Sequence, residues 1–79
     1  MRANRAFELL VTREDPRPSP LVDPDSIERI EVVSIDDGET LLFWEVPARE
    51  GVRLLRRLRR DLAGLDRDAF LREWDGADG

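Results

Sequence analysis

The sequence predicts an α+β fold: a three-stranded antiparallel sheet in β-β-β-α order, one long amphipathic helix on one face, and a short C-terminal helix. Three observations carry this. Two apolar, β-branched runs at 27–35 and 40–46 flank Asp36-Asp37-Gly38-Glu39, where Asp-Gly supplies the positive φ of a tight hairpin. Leucines recur at helical spacing between Leu54 and Leu65, opposite a row of arginines. Four of the five prolines crowd into 14–26, a stretch that neither strand nor helix can cross.

Taken in order, Ala6–Thr12 alternates as a first strand, with Phe7, Leu9 and Val11 on one face. Residues 14–26 are then a connecting loop. A proline-rich ligand segment is the functional alternative, but Arg17-Pro18-Ser19-Pro20-Leu21 is short and lies inside the domain. Ile27–Ile35 and Thr40–Val46 are the second and third strands. A hairpin centred on Asp37-Gly38 sets Ile35 opposite Thr40, Val33 opposite Leu42 and Glu31 opposite Trp44. Its other face pairs Val32 with Phe43, Ser34 with Leu41 and Ile30 with Glu45. In that register neither face is polar, whereas a half-solvated antiparallel sheet alternates cleanly.

The main helix is expected over about 48–63. Pro47 suits a first helical turn, Glu50 complements the positive end of the dipole, and Gly64 stands where a C-terminal glycine cap would. Asp66 or Asp68 can cap a short second helix that carries Phe70, Leu71 and Trp74. Residues 76–79 read as a frayed tail. The whole chain, 1–79, is one small domain.

A domain of this size buries only roughly 60% of its unfolded surface, and disulfides, metals or a second subunit usually supplement such a core. With neither cysteine nor histidine, disulfides and ordinary zinc ligation are excluded, which leaves an unusually good core or self-association, and self-association is the expectation. Apolar residues at 41% and charged residues at 39% describe a globular, soluble chain. No apolar run approaches a membrane span, and residues 1–10 lack the apolar core of a signal peptide. A cytoplasmic location is therefore expected. All thirteen basic residues are arginine, a mark of a GC-rich genome.

Charge is segregated along the chain. Residues 1–47 hold five arginines and eleven carboxylates, a balance of −6, while residues 48–79 hold eight arginines and seven carboxylates, +1. Arg53, Arg56, Arg57 and Arg60 form a stripe opposite the leucines. The plainest reading is the solvated back of a sheet-covering helix. Nucleic-acid binding would use such a stripe on phosphates. The net charge of −5 and the distance of both tryptophans from the stripe along the chain argue against it. The apolar side of the helix is leucine needed by the sheet, not a membrane-seeking aromatic face.

An enzyme is not expected. Histidine, cysteine, lysine and tyrosine, the usual acid-base and nucleophilic groups, are all absent, and glycines occur singly rather than in a phosphate-cradling loop. The acidic turn at 36–39 lacks the ligand spacing of a calcium loop. No catalytic residue, metal or cofactor is assigned. What the sequence offers is a non-enzymatic protein–protein interaction module or accessory subunit, self-associating as a homodimer or bound to another protein. Its candidate interface is an apolar second sheet face made of Ile30, Val32, Leu41, Phe43 and Trp44, with Trp74. Two alternatives stand beside it. One is a small acidic inhibitor of the antitoxin, immunity or regulator-binding kind, masking a basic target by charge complementarity. The other is anion or nucleic-acid binding through the arginine stripe.

Overall fold

A computed structural model of the chain describes residues 1–18 and 21–75. The expected tail at 76–79, with Ser19 and Pro20 of the proline-rich segment, lies outside the described residues. The order is α1 (Ala3–Ala6), β1 (Phe7–Arg13), β2 (Ile27–Ser34), β3 (Thr40–Pro47), α2 (Ala48–Gly64) and α3 (Arg67–Trp74). The strands form one antiparallel sheet in the order β1-β2-β3. This is the α+β architecture expected, with one added helical turn, α1, that the sequence did not signal.

All three helices lie on the same face of the sheet. Ile30 and Val32 of β2 and Phe7 of β1 form the floor, and Leu55, Leu58 and Leu62 of α2 cover it together with Phe70 and Trp74 of α3. Leu58 and Phe70 are fully buried. The aromatic rings are stacked in a chain: Phe7 lies 5.6 Å from Phe70, Phe70 lies 6.1 Å from Trp74, and Trp74 meets Trp44 edge-on at 5.5 Å. Such tilted and edge-on pairs add to what area burial alone contributes.

The hairpin differs from its expected register. Its loop is Ile35–Gly38, closed by Ser34 donating to the Glu39 carbonyl at 2.8 Å, with Gly38 at φ 74°. Farther along, Val33 pairs with Thr40 but Val32 pairs with Leu42. Leu41 is thus an extra residue, a bulge of two against one. An odd shift moves every following side chain of the strand to the other face. Beyond the bulge Ile30 faces Trp44 and Glu31 faces Phe43. Leu42, Trp44 and Val46 therefore join Ile30 and Val32 on the helix side, and Phe43 and Glu45 point away from it.

Backbone bonds from outside the helix organise both ends of α2. At its start Pro47 supplies no side-chain cap. Instead Ala48 donates to the Ser26 carbonyl at 2.9 Å and Arg49 to the Pro24 carbonyl at 3.2 Å, so the proline-rich loop satisfies donors that a helix start leaves open. An ion pair between Arg49 and Asp25 reinforces the dock. Within that loop Asp15 is the hub. It accepts from the Arg17 and Asp23 backbone amides at 3.0 and 2.8 Å and from the Arg17 guanidinium. The Arg17 side-chain bonds, then those two amides, hold the Asp15 carboxyl well below the usual carboxylate range. One turn into α2, Gly51 passes so close to β2 that a Cβ there would sit 2.3 Å from the Glu28 carboxylate. Glu28 is itself buried and paired with Arg13 at 2.9 Å.

At the far end, Gly64 is not the expected left-handed cap. It closes the helix, Leu65 follows in extended geometry, and Gly38 is the one positive-φ glycine among the described residues. The residues before β1 do the capping. The Arg2 guanidinium donates to the Ala63 carbonyl at 2.9 Å, and the Ala3 amide donates to Leu65 at 3.0 Å. The Arg67 amide donates in turn to the Met1 carbonyl at 2.9 Å. Asp66 caps α3 as expected, accepting from the Ala69 amide at 2.8 Å.

Two measurements check these points. A Cβ on Gly64 would meet nothing within 4 Å. With helical geometry there, Gly64→Ala should raise the unfolding free energy by about 0.5–1 kcal/mol in urea titrations; a left-handed cap would be destabilised instead. The lowered pKa of Asp15 sets a pH window. A depressed carboxyl contributes stability above its unfolded value, near 3.8, and loses it as pH falls below that. The urea midpoint of Asp15→Asn should therefore trail the parent by a constant margin between pH 5 and 8, and that margin should close as pH drops from about 4 to 2.

Candidate protein-interaction surface

The sheet face away from the helices is not the apolar surface the sequence suggested. Its centre is an ionic cluster. Arg29 of β2 pairs with Glu31 at 2.9 Å and reaches Glu45 of β3 at 3.7 Å, while its guanidinium lies 4.4 Å from the centre of the Phe43 ring. The Thr40 hydroxyl donates to Glu31 at 3.0 Å. Apolar side chains remain around this cluster, with Phe43 49% exposed and Leu10 42%, but charge separates them. Leu10 and Phe43 are both register partners of Glu31, one on each side of it.

A more organised surface runs along the free edge of β3. The side chains of Trp44 and Val46 from β3, Leu54 from α2 and Trp74 from α3 line a trough of about 420 Å³, with Glu50, Arg53 and Arg57 on its helical wall. A second depression continues beside the start of the same strand, between Leu41, Leu42, Leu71, Arg72 and Asp75. Trp74 is what joins the walls. Its ring is 2% exposed, its indole N–H donates to Asp61 at 3.1 Å, and the Arg57 guanidinium covers it at 4.9 Å. Asp61, buried near the end of α2, is also met by Arg60 at 3.2 Å.

Electrostatically this wall sets Arg53 and Arg57 against one carboxylate, Glu50. From Arg53 to Arg60 there are five arginines and no carboxylate. Among the described residues, Arg53, Arg56, Arg57 and Arg59 make no ion pair, and Arg60 has Asp61 alone. Amphipathic spacing produces this row, because leucines at 55, 58 and 62 turn the intervening arginines outward.

The structure thus divides the six residues proposed as an apolar interface. Ile30 and Val32 are fully buried under α2, and Trp74 belongs to the core. Trp44 is half-buried in the trough, while Leu41 and Phe43 are exposed on different sides of β3. The physical reason is the bulge at Leu41, which moved Trp44 in and Phe43 out. Arg53, Arg56, Arg57 and Arg60 are exposed, as the helix periodicity required. One further expectation is corrected: the tryptophans, remote from the arginines in sequence, stand beside them in space. No single stretch of sequence signals the trough, because its two walls come from α2 and from the junction of β3 with α3.

Comparison with known proteins finds no matching family model, no similar curated protein and no matching solved structure.

The Trp74 anchor can be tested directly. Trp74→Phe keeps an aromatic ring but removes part of the buried indole along with the donor to a buried carboxylate, so it should cost at least about 1–3 kcal/mol in denaturant titrations. The loss should shrink when Asp61 is already asparagine, in a double-mutant cycle.

Proposed function

We propose that this protein is a non-enzymatic interaction module or accessory subunit, and that it binds another protein through the trough between α2 and the free edge of β3. The observation supporting this is the pairing of unneutralised arginines, Arg53 and Arg57, with an aromatic floor at an open sheet edge. Tryptophan and arginine are the residues most enriched among those that dominate binding energy at protein interfaces. An arginine fork also recognises carboxylates bidentately, which suits an acidic protein partner. The absence of histidine, cysteine, lysine and tyrosine from the chain supports the non-enzymatic part of the reading.

Nucleic-acid binding gains one point, the proximity of tryptophan to arginine, but the detail disfavours it. Trp74 is covered by Arg57 and core, so no base can stack on it, and the net charge of −5 repels a polyanion. The inhibitor reading, in which residues 1–47 mask a basic target, rests on charge balance alone.

The test is affinity capture from the source cell with three forms of the chain: unaltered, Arg53→Glu/Arg57→Glu, and Leu10→Asp as an opposite-face control. A protein partner lost on the first variant and kept on the control is the expected result. A partner indifferent to the arginine reversal, or retention on heparin and mixed oligonucleotides at low salt, overturns it.

A further inference from the structure

Resting on that reading, we propose that the partner binds as one extended, acidic segment added to β3 as a fourth strand. Three features of the structure lead there. The first is the edge itself. β3 lies at the end of the sheet order, and among the described residues no backbone group of Leu41–Val46 is hydrogen-bonded to anything beyond β2. Proteins blunt such edges with charges, prolines or bulges, because a bare edge pairs with any strand that meets it. Here the bulge sits at Leu41 and the proline at Pro47, one at each end. Between them Leu42–Val46, with Glu45 as its sole charge, is bare over roughly 17 Å.

The second feature is the pair of depressions beside that edge. Side chains of an added strand that point to the helix side recur about every 7 Å. Those positions fall against Leu42 and Leu71, against Trp44, and against Val46 and Leu54 in turn. Backbone pairing would supply affinity, and these alternate pockets specificity, as in other cases of strand addition.

The third is charge, which chooses between a second copy and another protein. Antiparallel pairing of β3 with its own twin relates the two sheets by a two-fold axis normal to them. Both α2 helices then lie on one face, and the wall bearing Arg53 and Arg57 faces its own copy across the seam. Arg53 and Arg57 would then meet the same pair of the copy, with Glu50 as the one carboxylate lining the wall, and like charges so juxtaposed oppose the pairing. A segment carrying Asp or Glu beside its apolar positions meets the same wall favourably.

A random nine-residue peptide library displayed against the full chain tests this. The expected selectants alternate apolar and acidic residues. A synthetic peptide made from them should lose at least tenfold in affinity on Arg53→Glu/Arg57→Glu. On the unaltered chain, N-methylating every second backbone amide should abolish binding in one phase and spare it in the other, and binding should slow hydrogen exchange at β3 amides. The N-methyl series needs no variant, so a misfolded double mutant does not spoil the test. Binders that are basic, or that ignore both N-methyl series, overturn strand addition, as does a library yielding none; the interaction module itself then stands or falls on the capture experiment. A dimeric mass by light scattering, with β3 amides protected in the chain alone, assigns the edge to a second copy and also overturns the proposal.

Discussion

The bulge at Leu41 places Leu42, Trp44 and Val46 above the same floor as Ile30 and Val32, and most of the architecture follows from that placement. A helix face one leucine stripe wide cannot cover a sheet face that includes a tryptophan on its outermost strand. α3 is the remaining cover. It lies beside α2, where Phe70 and Trp74 continue the apolar layer from Phe7 across to Trp44. With all helices on one side, the other face of the sheet must tolerate water, and Arg29, Glu31 and Glu45 occupy its centre.

Carboxylates hold the periphery of this core in place. Asp61 is buried because the Trp74 indole and Arg60 both donate to it, which ties the end of α2 to the end of α3. Glu28 sits under the glycine that lets α2 approach β2, with Arg13 of β1 as its counter-charge. Asp15 gathers a proline-rich loop whose carbonyls then cap α2. A buried charge is tolerated where donors are already in position, and at Asp61 and Glu28 a donor comes from another element of the fold. The described part of the loop is thereby part of the fold.

The interaction surface has the same origin. Trp74 is held by Asp61 on one side and covered by Arg57 on the other, so the wall of the trough is set by contacts inside the domain. Aromatic and guanidinium groups positioned in advance lose little further entropy when a partner arrives. The free arginines and the bare stretch of β3 lie together because α2 follows β3 with no intervening loop: the strand ends at Pro47 and the helix starts at Ala48.

The elements other than α1 were legible in the sequence, because each is governed by local periodicity and local chemistry. Alternation marked the strands, leucine spacing marked α2 and its exposed arginines, and Asp66 marked the start of α3. The failures share one cause. A bulge is one residue long and leaves no trace in composition, yet it reverses the face of every later residue in the strand. Sequence parity therefore put Phe43 with Val32 and Trp44 with Glu31, when Trp44 belongs to the core side. The cap of α2 was missed likewise, since Arg2 and Ala3 reach it from sixty residues away and relieve Gly64 of that role. The sequence by itself determined the three strands, the two longer helices, the charged face of α2 and the lack of ordinary catalytic groups. Tertiary structure alone decided which sheet face is covered and which tryptophan stands beside which arginine, because register and long-range capping are settled by packing between segments that share no local signal.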